Sequence, residues 1–216
     1  MSKTNAAQLS VIAIGLTLAS VALHANAGVV FDNGPMVAVS THCAETSGAC
    51  GGQWTVFDNF SLSGSTTVTG IGWSVRAYGG RSDLRGVKAW IYSADPVLSG
   101  GVLLAQIPEQ TGAPVANGAL YDVMMSGLSI DLEPGTYWLG IQIDTSVNYA
   151  SVGAANPNAG TATQWQNGGT GDRGFISEEL SFKILGDIHP IPEPNSLALL
   201  GFGLAGLAVC RRKRCD

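Results

Sequence analysis

The sequence predicts an all-β protein, a two-sheet jelly-roll-like sandwich flanked by an N-terminal signal peptide and a C-terminal transmembrane helix. Glycine accounts for 29 of the 216 residues and charged residues for only 12%, which is typical of a β domain with many turns. Several segments alternate apolar and polar residues, as a half-buried strand does, and an uncharged apolar run lies near each end. We therefore divide the chain into residues 1–27, 28–187 and 188–216.

Strand-like segments follow one another through the middle of the chain, between clusters of turn residues. The predicted strands are residues 53–60, 66–76, 86–93, 102–107, 120–125, 129–132, 136–144, 163–165 and 180–185. One face is shared by Val87, Ala89 and Ile91, and another by Tyr137, Leu139, Ile141 and Ile143. Core positions are also predicted for the strand tryptophans Trp54, Trp73, Trp90 and Trp138. About nine strands in one domain predict two packed sheets.

The N-terminus has the pattern of a signal peptide. Lys3 precedes the apolar run 9–23, and Ala25 and Ala27 form the A-x-A pattern that signal peptidase accepts. The run is short for a membrane-spanning helix. We expect cleavage before Gly28, with an uncleaved anchor or a buried helix as the alternatives.

Two cysteines lie close together in the loop HCAETSGAC. Export permits disulfides, so a local bond between Cys43 and Cys50 is predicted. The alternative is a metal site that also uses His42 and Glu45, which requires more ligands than this loop obviously offers.

The chain ends with IPEPNSLALLGFGLAGLAVCRRKRCD, in which residues 197–210 carry no charge. Apolar side chains cover every face of a helix built from this run, which disfavours a buried amphipathic helix. We predict a transmembrane helix at about 195–210. The basic tail that would hold its end in the cytoplasm is Arg211, Arg212, Lys213 and Arg214.

Residues 191–214 resemble the PEP-CTERM sorting signal. The resemblance rests on Pro192, Glu193 and Pro194, followed by the apolar run and the basic end. It implies recognition by an exosortase, a membrane-embedded cysteine transpeptidase-like enzyme of Gram-negative bacteria that cleaves at or near the motif. It also implies passage through the inner membrane to the cell envelope or extracellular matrix, where such proteins accompany exopolysaccharide and biofilm formation. The prolines hold the motif extended, as suits a segment that enters an active site.

The body of the chain is acidic, with six basic and fourteen acidic residues between positions 28 and 190, a net charge of −8. Such a body repels phosphates, so we predict no nucleic-acid partner. Oxygen-bearing side chains near predicted strand ends are candidate calcium ligands, and the same residue types also serve turns. They are Asp32, Asn33, Asp58, Asn59 and Asp187.

No catalytic constellation is recognisable. His42 and His189 are the histidines beyond the signal peptide, and neither accompanies a G-x-S-x-G or H-E-x-x-H motif. The adjacent Glu178 and Glu179 would point to opposite faces of a strand. We predict a protein that is not an enzyme. A polysaccharide-acting enzyme and an uncleaved single-span membrane protein are the alternatives.

The segments FDNFSLSGSTTVTGIGWSV, AWIYSAD and LEPGTYWLGIQ resemble β-sandwich ectodomains that precede PEP-CTERM tails, which are similar to carbohydrate-binding modules and lectin-like jelly rolls. The resemblance implies a structural or glycan-associated role. A long Gly/Asn/Thr-rich loop is predicted at 148–174, and loops of this length are often functional. Its predicted glycan-binding residues are Tyr149, Trp165, Gln166, Asn167 and Asp172, with Arg173 beside them. The alternative is a mobile surface loop whose Trp165 caps the core.

Overall fold

The computed structural model describes residues 28–110, 115–117, 120–146 and 148–189. The predicted signal peptide, transmembrane helix, basic tail and PEP motif lie outside these residues. Within them, none of the helices has the length and apolar character needed to span a membrane.

The described residues form two antiparallel sheets, A and B, together with two single-turn 3-10 helices, Arg81–Asp83 and Asn167–Gly169. Sheet A contains β1 (Gly28–Asp32), β2 (Ala38–Cys43), β4 (Thr66–Ala77), β7 (Val115–Asn117), β8 (Leu120–Leu132), β10 (Ala150–Asn156), β13 (Glu179–Leu180) and β14 (Phe182–Ile188). Sheet B contains β3 (Trp54–Leu62), β5 (Leu84–Tyr92), β6 (Leu103–Gln110), β9 (Gly135–Thr145), β11 (Thr163–Gln166) and β12 (Arg173–Phe175). The all-β prediction is confirmed, and the jelly-roll-like connection stays a prediction.

Strand β4 is the centre of sheet A. One edge pairs with β8, and the other pairs first with β14 and then with β10. β1 lies on the far side of β14, and β2 on the far side of β10. Sheet B has the order β12-β11-β3-β9-β5-β6. Two of the connections that cross from sheet to sheet, residues 63–65 and 133–134, lie at the same end of the sandwich.

The core lies between the two sheets and is built from the alternate residues of each strand. β5 contributes Val87, Ala89 and Ile91, β9 contributes Leu139, Ile141 and Ile143, and β4 contributes Val68, Ile71, Trp73 and Val75. The predicted faces of β5 and β9 are therefore confirmed, with Tyr137 partly buried against the same cluster. Each large apolar side chain buried in this way contributes about 1.5–3 kcal/mol.

The prediction that all four strand tryptophans are core residues is wrong. Trp73 is 4% exposed, but Trp54, Trp90 and Trp138 are only partly buried. Trp90 and Trp138 alternate with core residues, so the pleat turns their rings to the outer side of sheet B. Trp54 begins its strand, and its indole N–H donates to the Cys50 carbonyl at 3.3 Å.

Two predicted boundaries need correction. The segments 120–125 and 129–132 belong to one strand, β8, because an irregularity opposite Val68 and Gly70 keeps it paired with β4. The predicted strand 163–165 is confirmed as β11, but the rest of the predicted loop 148–174 also contains β10 and the start of β12. β10 consists mostly of Ala, Ser and Gly, which have low strand propensity, and pairing with β2 and β4 overrides that propensity.

Candidate functional site

Four of the five predicted glycan-binding residues lie together on one hairpin of sheet B. Trp165 and Gln166 end β11, Asn167 begins the turn, and Asp172 directly precedes β12. Tyr149 lies elsewhere, because it precedes β10 of sheet A and its ring packs edge-on against Tyr78. The structure therefore joins four of these residues but not the fifth.

The two amides of this hairpin hold the loop together. Gln166 donates through Nε2 to the Gly51 carbonyl at 3.0 Å, and its Oε1 accepts from the Asp172 backbone N–H at 3.3 Å. Asn167 accepts from the Gln53 N–H at 3.0 Å. These atoms are engaged within the fold, while the Asp172 side chain is exposed. Arg173 likewise donates to the Gly169 carbonyl at the base of the turn.

Trp165 packs on the outer side of sheet B and not in the main core. Its ring meets Phe57 at a centroid distance of 4.6 Å and Tyr92 at 6.0 Å, both edge-on. Phe57 alternates with the core residue Val56, which places it on the outer side. Burial raises the pKa of Tyr92. The capping interpretation of Trp165 therefore applies to this second, outer cluster.

The outer cluster continues across the sheet as an aromatic face, which we define as Phe57, Trp90, Tyr92, Trp138 and Trp165. In the β3–β9–β5 ladders Phe57 and Trp90 flank Gly140, and Tyr92 lies opposite Trp138. A Cβ at Gly140 would lie 2.6 Å from the Phe57 ring, so the missing side chain lets the rings close over the strand. The three tryptophans remain partly exposed.

Polar side chains border the aromatic face. The exposed Gln106 is opposite Trp90 in the β5–β6 ladder. Lys88 and Glu109 form an ion pair of 3.3 Å beside it. Partly exposed tryptophan rings with an amide and charges at the rim suit a ligand that has both apolar faces and hydroxyl groups.

A hydrogen bond holds the connection between β5 and β6 over the aromatic face of sheet B. Asp95 is buried, accepts from Thr163 Oγ1 at 3.1 Å and from the Val97 N–H at 2.7 Å. Thr163 belongs to β11, so its bond to Asp95 ties the β5–β6 connection to a strand near the opposite edge of sheet B. Leu98, on this connection, is 63% exposed.

The outer side of sheet A carries a groove of about 640 Å³ that passes over Gly72. Its lining residues are Asp32, Gly34, Pro35, Met36, Gly72, Trp73, Ser74, Asp122, Val123, Met124, Ser181, Phe182 and Lys183. The groove contains both charge signs and lacks the row of rings found on sheet B.

A buried carboxylate links the sheets. Asp58 on β3 accepts from the Leu180 N–H at 2.7 Å and from Asn33 Nδ2 at 3.3 Å. Burial, with a smaller contribution from the neighbouring Glu179 carboxylate, raises the pKa of Asp58 from 3.8 to about 7. The same Asn33 amide donates to Glu179 Oε1 at 3.1 Å.

The five candidate calcium ligands do not come together in one site. Asn33, Asp58 and Asn59 share the buried network, with Asn59 donating its backbone N–H to Asp58 at 2.8 Å. Asp32 is exposed and accepts from the Gly34 N–H, and Asp187 belongs to β14. Among the residues that the structure describes, no three His, Cys, Asp or Glu side chains are grouped to hold a metal ion.

Cys43 and Cys50 form a disulfide, with their Cα atoms 6.5 Å apart. The enclosed loop surrounds the buried Glu45, whose carboxylate accepts from the Gly48 N–H at 3.0 Å and the Cys50 N–H at 3.2 Å. Glu45 thus orders the loop, a role that the sequence does not predict, since it offers Glu45 only as a possible metal ligand.

The last described residues leave the sandwich from the end of β14. His189 donates its N–H to the Ser65 carbonyl at 2.8 Å, and its Nε2 is 2.7 Å from Thr67 Oγ1. The chain that follows is the segment with the proline–acid–proline step and the apolar run. Residues 190–213 match the PEP-CTERM protein-sorting motif. The predicted resemblance to a PEP-CTERM sorting signal is confirmed.

The PEP-CTERM motif implies processing by an exosortase and export to the cell envelope or the outside of the cell. The match begins one residue after His189, so the motif adjoins the folded sandwich directly. No curated protein matches the chain.

Proposed function

We propose that this protein is a non-catalytic component of the cell envelope or extracellular matrix of a Gram-negative bacterium, released or re-anchored by exosortase cleavage at or near the motif formed by Pro192, Glu193 and Pro194. In this proposal the aromatic face of sheet B associates with the exopolysaccharide of the biofilm. The observation that carries the proposal is the position of Trp90, Trp138 and Trp165 on the outer side of one sheet.

The chemistry of a sugar chain fits this face. Pyranose rings present C–H groups on their flat sides and hydroxyl groups at their edges, so they need apolar platforms bordered by hydrogen-bonding groups. The broad face of a sheet suits an extended chain better than an enclosed small molecule. Gln106 and the pair of Lys88 and Glu109 supply polar groups at the rim.

Binding of the processed protein, purified from the medium of its host, to the host's own exopolysaccharide tests the proposal. Isothermal titration calorimetry should show saturable binding that weakens about tenfold in Trp90→Ala or Trp138→Ala. Met124→Ala, on the outer side of sheet A, is the matched control and should leave the affinity unchanged. Equal affinities for all variants would place any binding elsewhere, and no binding at all would favour a purely structural role.

A further inference from the structure

Both ends of the sandwich emerge at one place. Gly28 is paired with Gly186 in the β1–β14 ladder, and β14 ends two residues later at Ile188. The crossings at 63–65 and 133–134 lie at this same end. We define the exit pole as Gly28, Ser65, Glu133, Ile188 and His189.

Hydrogen bonds hold the chain in place up to the start of the sorting motif. Ser65 accepts the His189 N–H through its carbonyl and donates its hydroxyl to Glu133 Oε2 at 2.7 Å. Thr67 bonds both the His189 ring and the Asp131 carboxylate. The exit pole is therefore ordered by side chains from both crossings.

The spacer between this pole and the processing motif is short. Pro192 is three residues beyond His189, a reach of about 10 Å in an extended chain. β14 lies between β4 and β1 and contributes Phe182 and Ile184 to the core. Unravelling the strand to lengthen the spacer would break both ladders and expose this apolar surface.

We propose that the exosortase acts on the folded sandwich and that the exit pole docks on the extracytoplasmic surface of that enzyme. This rests on the exosortase processing that the motif implies, and not on glycan binding. Glu133 and Asp131 are exposed at the pole, beside Ile188, which is 51% exposed. The complementary surface is one with basic or N–H donor groups around a small apolar spot.

A disulfide across the last residue pair tests whether β14 stays folded. Thr66 and Ile188 lie opposite each other in the β4–β14 ladder, at a separation suited to a disulfide. In the host, the oxidised Thr66→Cys/Ile188→Cys chain should be cut as fast as the Ile188→Cys single variant, which lacks the same exposed side chain, measured by pulse–chase and mass. Cutting of the single variants together with accumulation of the uncut double variant would overturn the proposal.

A charge reversal tests the docking surface. Glu133→Lys should slow cutting by about fivefold or more, whereas Asp172→Lys, at the opposite end of sheet B, should not. A flexible eight-residue insert between His189 and Pro190 should abolish the effect of Glu133→Lys, because the motif can then reach the active site without docking of the exit pole.

Equal cutting rates for both charge reversals would overturn the proposal. The proposal would also be overturned if Glu133→Lys still slowed cutting with the insert present and also changed membrane binding in a strain without exosortase. In that case the partner of the exit pole would be the lipid bilayer. Equal secretion and equal melting temperatures serve as the folding control.

Discussion

The Asp58 carboxylate of sheet B accepts the backbone N–H of Leu180 in sheet A at 2.7 Å, which joins the two sheets through a buried titratable group. Its other partners, Asn33, Asn59 and Thr161, are neutral, and Glu179 is the charged group that faces it. Burial is the main reason that its pKa rises from 3.8 to about 7.

We expect this pKa shift to make the protein less stable as pH rises. The folded state holds the Asp58 proton more tightly than the unfolded state, so the free energy of unfolding falls between about pH 4 and 7 and stays low above that range. The shift of about three units corresponds to at most about 4 kcal/mol. Asp58→Asn should flatten this part of the profile, measured by urea unfolding from about pH 4 to 8.5. The exposed Asp172→Asn should keep the wild-type slope, and a wild-type slope in Asp58→Asn would contradict the assignment.

A side chain at Gly140 should destabilise the protein by crowding the aromatic face. The new Cβ would lie 2.6 Å from Phe57 Cε1 and 3.5 Å from Trp90 Cε3, and Phe57 is fully buried. We expect Gly140→Ala to lower the free energy of unfolding by about 1–3 kcal/mol. Gly174→Ala, where the Cβ would meet nothing within 4 Å, is the control for replacing a strand glycine. Chemical denaturation that gives the same loss for both would show that Gly140 has no packing role.

The alternation in β5 and β9 is the part of the fold that the sequence predicts best. Val87, Ile91 and Leu139 face the core because a period of two leaves no other arrangement once one face is buried. The same alternation could have placed Trp90 and Trp138 on the outer side. Residue type alone favours the core for both tryptophans, but tryptophan is rarely fully buried, so the alternation is the stronger signal.

Long-range pairing explains what the sequence does not predict. β10 is a strand because β2 and β4 border it, and its own Ala, Ser and Gly residues give little indication of this. Asn33 meets Asp58 across 25 residues of chain, and Asp58 meets Leu180 across 122. No local pattern encodes such contacts. The sorting motif, in contrast, is contiguous, and the sequence predicts it almost residue by residue.

Removing the Cys43–Cys50 bond should have a modest effect. The bond closes a short loop, which corresponds to about 2 kcal/mol in the chain-entropy description. The carboxylate of Glu45 remains to bind Gly48 and Cys50, so the loop should keep its conformation when both cysteines are replaced by serine. Glu45→Ala should be the more damaging change because it leaves the partly buried N–H groups of Gly48 and Cys50 without their acceptor. Thermal unfolding of the two variants gives the comparison, and the reverse order of stability would contradict it.

Asn167 combines a left-handed backbone conformation with a side-chain hydrogen bond. Comparing Asn, Asp, Gly and Ala at this position separates the contributions of the two to stability. Its φ is 51°, and its Oδ1 accepts the Gln53 N–H at 3.0 Å. Asp keeps the acceptor, Gly keeps only the backbone freedom, and Ala keeps neither. We expect stability to decrease in the order Asn, Asp, Gly, Ala, with a loss of about 1–3 kcal/mol for Ala. Urea unfolding measures this order. The Asn167 side chain is hydrogen-bonded within the loop, so Asn167→Asp should bind exopolysaccharide with the wild-type affinity. A loss of binding in Asn167→Asp without a loss of stability would show that Asn167 contacts the ligand.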